Sequence, residues 1–435
     1  MASFASTVVS RSPSSIISYL ARLKTTHFDP SKHSFLFTLS PPSSSADTSG
    51  LDSSADLASL VNALMNFSPT SLGCLSAPLT GGSGTEEARY NPISCSVVLL
   101  DKQYSIPFRS TIPGRARTQV GRWHAFRLKD EDDYGGKWDD IESLTTQTNK
   151  RVDWEEVWSE NADVKKDWSA LPQELANLRQ TPESIRQFLL FSDSSPEGLV
   201  STLHSTFPPS SAFTLLRPPF ITGRPVTLFE NGKIHGSGSI GVAFTNVGPS
   251  ELHLKLPKDL RPLGAEMTVT RAEGNLLNTL DNSNPTRLLL EAIRKAGIDA
   301  ASEDAVLFKE EEEFYLGVGS GSQIYTITSG DPSRGTIALD TTRAPVAGEK
   351  VQFYHRSKRS ASTSASSIFS ANQSEPLVTF GVADLSVRDH TEGKGPLIME
   401  NVFITCSENG LWATRGASET PWTCTVSGCS IRSDL

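Results

Sequence analysis

At 435 residues the chain exceeds one compact core of ordinary size, so two domains are the first expectation. Apolar residues make up 37% and charged residues 20%, low for a fully packed globule, and 31 Gly with 26 Pro point to long loops around an ordinary core. Forty Lys and Arg against 49 Asp and Glu give a formal charge of −9, a field that opposes nucleic acid and anionic membranes and argues against a dedicated nucleic-acid binder.

Residues 1–33 precede the first expected strand and carry Arg11, Arg22 and Lys24, many Ser and no acid before Asp29, the composition of a mitochondrial transit peptide. Ile16, Ile17, Leu20 and Leu23 also form an apolar stripe at helical spacing behind Ser12-Pro13, a plausible N-cap and first helical residue. A first helix of the fold and a removable presequence both stand.

Residues 34–40 (SFLFTLS) read as a buried strand. A Ser-rich loop leads to a helix with Leu57, Leu60, Val61, Leu64 and Phe67 on one face, and TSLGCLSA is the next strand. The same syntax returns at QFLLFSD, GLVSTLHSTF and SAFTLLRP. Both helices end on a Phe-X-Pro step, Phe67-Ser68-Pro69 and Phe207-Pro208-Pro209, and from each Phe it is five residues to the apolar start of the next strand, Leu72 or Ala212. This spacing predicts a duplicated β-α-β unit with parallel strands and right-handed crossovers.

Between the two copies, Arg109, Arg115, Arg117, Arg122 and Arg127 surround Trp123, a mixture suited to stacking on a base but followed at once by the acids of residues 130–133. Residues 129–168 form an acidic insert holding four of the seven Trp. Trp154 and Trp158 are four apart and share a helical face, which makes them a candidate partner-binding patch beside the plainer reading of docking onto the parent domain.

After the second copy the pattern turns to hairpins. VTLFENGKIHGSGSIGVAF contains the turn dipeptide Asn231-Gly232, and AVLFKEEEEFYLGVGSGSQIYTIT and GTIALDTTRAPVAGEKVQFYHR are expected to be two more. PTRLLLEAIRK is a helix with Gly297 beyond its end. Residues 356–376 are low-complexity and Ser-rich, expected to be a loop open to phosphorylation or targeting. The fold class predicted is mixed α/β (α+β), with duplicated β-α-β units, antiparallel hairpins and helices layered on sheets.

No segment approaches the roughly 20 apolar residues that span a bilayer. The odd set Cys74, Cys95, Cys406, Cys424 and Cys429 forms no dense framework, which indicates a reducing intracellular compartment: the cytoplasm, or the mitochondrion if the N-terminus is a presequence. Cys74, at a strand end before a Gly-rich loop, is the best thiol candidate, although a buried strand cysteine fits equally. Cys406, Cys424 and Cys429 lack zinc-site spacing. GVGSGS and HGSGSIG join β segments, so a phosphate loop is not expected. HExxH and GxSxG signatures are absent, and the chain is expected to be neither an enzyme nor a holder of cofactor or metal.

Four stretches carry a family resemblance. FLFTLSP with DLASLVNALMNF and SLGCLSAPLTGG, then VTLFENGKIHGSGSIGVAF, then MTVTRAEGNLLNTLDNSNPTRLLLEAI, and finally RGTIALDTTRAPVAGEKVQFYHR together resemble the FIST module. Gly73-Cys74 with Ser76-Ala77 is similar to its Gly-Cys-Ser-Ser-Ala-Gly strand end, with Leu75 in place of a Ser, and FITCSENG resembles its late Cys strand. Its closing Gly-Glu-Ile segment has no counterpart. The resemblance implies a FIST N-like domain over 34–246 and a FIST C-like domain over 247–435. It also implies a non-catalytic sensory module for a small metabolite such as an amino acid, or, as in the F-box relatives, an adaptor in ubiquitin-dependent protein turnover. The 33 residues before the first expected strand are too few for an F-box. Candidate ligand-lining residues are Gly73, Cys74, Ser76, Arg271 and Asn275; Arg271 is suited to a ligand carboxylate or to a surface pair with Glu273 or Glu291.

Overall fold

The computed structural model describes residues 2–40, 53–81, 92–112, 171–193, 196–207, 210–216, 226–245, 253–257, 259–298, 312–319, 323–331, 335–341, 344–357, 376–382, 386–387, 395–415 and 422–434. Strands are numbered along the chain. Seven of them form the largest sheet: Ala2–Ser10 (β1), His33–Ser40 (β2), Ser71–Leu75 (β3), Ile93–Asp101 (β5), Leu228–Glu230 (β9), Lys233–His235 (β10) and Leu397–Glu400 (β21). Their spatial order is β10-β9-β3-β2-β5-β1-β21. The central strands are apolar without alternation because both faces are buried. Phe35, Phe37, Leu39, Val97 and Leu99 pack with Ile16, Leu20 and Leu23 of Pro13–Thr26 (α1) and Leu60 and Leu64 of Ser53–Met65 (α2), whereas Leu36, Leu72, Val98 and Leu100 face the central core.

A second sheet contains Ser105–Ser110 (β6), Ile185–Ser192 (β7), Ser211–Leu216 (β8), Ser239–Thr245 (β11), Leu411–Arg415 (β23) and Trp422–Cys424 (β24), in the order β24-β23-β8-β7-β11-β6. Leu189, Phe191, Ile240 and Val242 join the central core. On its other face Phe108, Phe188, Leu190 and Ala243 pack with Leu175 of Gln173–Ala176 (α3), with Leu199 and Leu203 of Glu197–Thr206 (α4), and with Phe207 just after it.

Six strands close into a barrel: Arg261–Glu273 (β13), Leu276–Leu280 (β14), Glu312–Val318 (β15), Gln323–Asp331 (β16), Thr336–Leu339 (β17) and Lys350–Ser357 (β18), ordered β13-β14-β17-β16-β15-β18. Pro285–Lys295 (α5) buries Leu289 and Ile293, and the Asn284 side chain caps it by accepting the Arg287 N–H at 3.0 Å. His253–Lys255 (β12), Leu377–Val382 (β19), Val402–Ser407 (β22) and Ser430–Asp434 (β25) form a sheet ordered β12-β25-β19-β22, and Thr80–Gly81 (β4) pairs with Ser386–Val387 (β20).

The expected mixed α/β class is overturned. Of the described residues 52% are strand and 20% helix, and the central core is built sheet against sheet and around a closed barrel, with α1 to α4 confined to the outer faces of the two large sheets. Two β-α-β crossovers are present, with β2 parallel to β3 around α2 and β7 parallel to β8 around α4, but most other pairs are antiparallel. Three features escaped the sequence. Residues 2–10, small and Ser-rich, are a strand only because β5 and β21 flank them. The expected 335–356 hairpin does not form, since β17 pairs with β14 and β16 while β18 pairs with β13 and β15. Arg356 is no loop residue: it is buried at the end of β18, with Nε 2.7 Å from Asp259 Oδ2.

The outer edge of β22 lies on the largest sheet and is held by hydroxyl groups. Thr7 Oγ1 donates to the Val402 carbonyl at 2.8 Å and accepts from the Ile404 N–H at 3.0 Å, while Ser96 Oγ donates to the Ile404 carbonyl at 2.5 Å. The Ala77 N–H donates to the Cys406 carbonyl at 2.8 Å. Replacing Thr7 with Val keeps the shape and leaves a buried N–H and carbonyl of β22 without partners, so Thr7→Val is expected to lower unfolding stability in urea by about 2 kcal/mol or more. A loss under about 0.5 kcal/mol would show that β22 does not need the hydroxyl.

Residues 358–375 and the acidic insert 129–168, with Trp154 and Trp158, lie outside the described residues. The chain leaves at Ile112 and returns at Leu171, both packed in the same core cluster. Removal of residues 130–149 is therefore expected to shift the melting temperature by less than about 4 to 8 °C, the equivalent of roughly 1 kcal/mol in a small domain. A larger fall in a calorimetric scan would make the insert part of the core. Among the described residues no helix is long and apolar enough to cross a membrane.

Candidate functional site

The residues proposed from sequence fall into two separate places. Gly73, Cys74 and Ser76 lie at the end of β3 in the largest sheet, and Arg271 and Asn275 lie on the β13–β14 hairpin of the barrel. No hydrogen bond or ion pair joins the two groups among the described residues. Cys74 is fully buried in the central core among Leu36, Leu72 and Leu228, and burial pushes its thiol well above the ordinary range. It is a packing residue. Gly73 serves packing too: a Cβ there would sit 2.6 Å from the ring of Phe37, which lies over it and tilts against Phe229 at 5.4 Å. The buried Ser76 uses its N–H to reach the Leu39 carbonyl at 2.9 Å.

Arg271 is exposed on the barrel, and Glu291, one of its expected partners, pairs instead with Arg287 at 3.0 Å. Asn275 is buried, donates from Nδ2 to the Leu339 carbonyl at 3.2 Å and fixes the hairpin to β17. The remaining thiols are buried as well. Among the described residues no three His, Cys, Asp or Glu side chains converge to hold a metal.

A charged cluster missed by the sequence reading lies where the two large sheets meet. Asn231 and Gly232, with φ of 48° and 78°, make the tight turn of the β9–β10 hairpin. Its register sets Lys233 opposite Glu230 and His235 opposite Leu228, so Glu230 and His235 are diagonal neighbours on one face. Glu230 Oε2 lies 3.2 Å from His235 Nε2, without hydrogen-bond alignment. Arg109, from the edge strand β6 of the other sheet, brings its Nε to 3.9 Å from the same oxygen, too far for a hydrogen bond.

The three side chains are 24% (Arg109), 22% (Glu230) and 19% (His235) exposed, neither core nor open surface, and Arg109 Nε and His235 Nε2 make no hydrogen bond among the described residues. Burial lowers the His235 pKa below its ordinary value, the Arg109 charge lowers it further, and Glu230 only partly offsets both. The ring is therefore neutral at pH 7.

The glycine-rich stretch that follows carries the chain from one sheet to the other. Gly238 adopts φ +85°, a Cβ on it would meet the Ser110 carbonyl oxygen at 2.5 Å, and its N–H donates to Asp193 Oδ2 at 2.8 Å. Its amide is thus engaged within the fold, as a turn and not a phosphate cradle. Hairpin register made the Glu230–His235 contact legible in the sequence; the approach of Arg109 had no local signal.

No family model and no curated protein matches the chain, so the FIST resemblance rests on the four stretches of sequence alone. If Gly73 serves packing, Gly73→Ala should cost about 1–3 kcal/mol in urea unfolding, and Phe37→Leu in the same chain should recover part of it. An unchanged midpoint for Gly73→Ala would remove the packing explanation.

Proposed function

We propose that the chain is a non-catalytic recognition module of the FIST type, with a site at Arg109, Glu230 and His235 that takes a small zwitterionic metabolite such as an amino acid. The observation that carries this reading is the loose pair of opposite charges, contributed by different sheets, 3.9 Å apart and about three-quarters buried. A ligand carboxylate fits the guanidinium as a charge-assisted partner, and a ligand ammonium fits Glu230. The pair is neutral overall, as the ligand is, and partial burial weakens solvent screening of both contacts.

The sealed Cys74 thiol favours recognition over nucleophilic catalysis, since the thiolate is the reactive form and burial opposes it. Five free, buried thiols favour a cytoplasmic setting. The alternative of an adaptor in ubiquitin-dependent turnover depends on Trp154 and Trp158, outside the described residues, and no described feature favours it.

The test is a thermal-shift screen of amino acids and related carboxylates. A true ligand at about 100 times its Kd adds roughly 2.7 kcal/mol, well above the scatter of a scan. Arg109→Ala should abolish the shift for every compound, Glu230→Gln should abolish it for amino acids, whose ammonium needs the carboxylate, and the exposed Arg271→Ala should keep it. No shift for any compound, or a shift that survives Arg109→Ala, rejects the site.

A further inference from the structure

The Glu230 carboxylate has two suitors. Arg109 Nε stands 3.9 Å from Oε2 and His235 Nε2 stands 3.2 Å from the same atom. With Nε2 at 3.2 Å from Oε2 and not aligned for a hydrogen bond, the neutral ring makes only a weak dipolar contact, and protonation turns that contact into a full ion pair. We propose that His235 and Arg109 compete for Glu230, so that protonation of the His235 ring frees the Arg109 guanidinium to bind a ligand carboxylate. This rests on the reading of the site given above and adds its regulation by pH.

Among the described residues the charges that act on the ring are few. Arg109 from β6 and Lys233 from its own strand oppose protonation, and Glu230 from β9 favours it. Asp193, after β7, is held by the Gly238 N–H, three residues along from His235. In the neutral-ring state Glu230 balances Arg109 and the three groups sum to no net charge. Once the ring is charged, Glu230 is shared between two cations and the site carries one net positive charge, which attracts an anion.

The linkage has a definite sign. A carboxylate bound to Arg109 neutralises one of the charges that depress the ring's pKa, so the pKa of His235 rises on binding and a proton is taken up from solvent. Affinity is then greatest below the pKa of the unliganded ring, itself below the ordinary value of about 6.5, and is lost as pH rises through the pKa of the complex. The chemistry recognised in the charged-ring state is a carboxylate, because the ring then engages Glu230, the partner of a ligand ammonium.

Formate is a suitable probe because its own charge is constant from about pH 5.5 to pH 8. Titration into the full chain, followed by the ring-proton NMR signals of His235, is expected to show binding about tenfold tighter at the lower pH, with the ring pKa higher in the complex than in the free chain. His235→Gln should bind formate weakly and without dependence on pH, and Glu230→Gln should bind it tightly even at the higher pH, where no carboxylate holds Arg109.

Arg109→Gln should not bind formate at either pH. Equal affinity of the wild type at both pH values, with binding still lost in Arg109→Gln, overturns the switch and leaves the site standing. Binding that ignores Arg109→Gln, or no binding by the wild type, overturns both. A melting scan of each variant without formate confirms that it is folded at both pH values.

Discussion

The whole arrangement depends on how one strand edge is satisfied inside the protein. β22 pairs with β19 on one side only, and its other edge is pressed against the largest sheet, where water cannot serve its backbone. Thr7 and Ser96 take the place of a neighbouring strand. Each hydroxyl has a single proton, and the two oxygens also lie 2.9 Å apart, so two protons are shared over contacts to Val402, Ile404 and each other. The arrangement needs small hydroxyl residues on β1 and β5, and it ties residues 2–10 to residues near the far end of the sequence.

That tie explains why the two halves of the chain are interleaved. After residue 376 the chain supplies β21 to the first sheet and β23 and β24 to the second, and Phe191 of β7 packs with Phe380 of β19 at 5.5 Å. The barrel is fastened to this body at Arg356 of β18, which joins Asp259, just before β13, to the Ser427 carbonyl between β24 and β25. Arg356 reaches Asp259 at 2.7 Å and also donates from Nη1 to the Ser427 carbonyl at 2.7 Å. Taking both charges out of water is costly, and the additional hydrogen bond helps to offset it, so breaking either partner would leave a charge stranded. The nearby Cys429 thiol, in hydrogen-bond contact with Cys424, is pushed up by burial and stays protonated.

The site proposed for ligand lies where rigid elements from different sheets meet. A hairpin with a tight turn presents Glu230 and His235, and an edge strand presents Arg109. None of the three is part of the hydrophobic core, and none is fully in water. That intermediate position suits recognition: a polar ligand can enter without the penalty of opening a core, and its charges are still felt over a few ångströms. Gly73, Cys74 and Ser76, which resemble the family's strand end, support the floor of the same sheet through packing and one backbone hydrogen bond.

Local patterns in the sequence determined much of this. Continuous apolar runs specified β2 and β7, the 3.6-residue stripes specified α2 and α4, Asn284 and Pro285 began α5, and Asn231-Gly232 set a register that places Glu230 beside His235. The tertiary structure alone decided the rest. A period of two tells which face of a strand is buried but not which strand lies beside it, so the closed barrel, the strand at residues 2–10 and the separate partners of β17 and β18 had no local signature. The same applies to side chains: Cys74 turned into the core, Arg271 turned to solvent and Arg109 brought to Glu230 are outcomes of contacts between residues far apart in the chain, where no short-range rule of spacing applies.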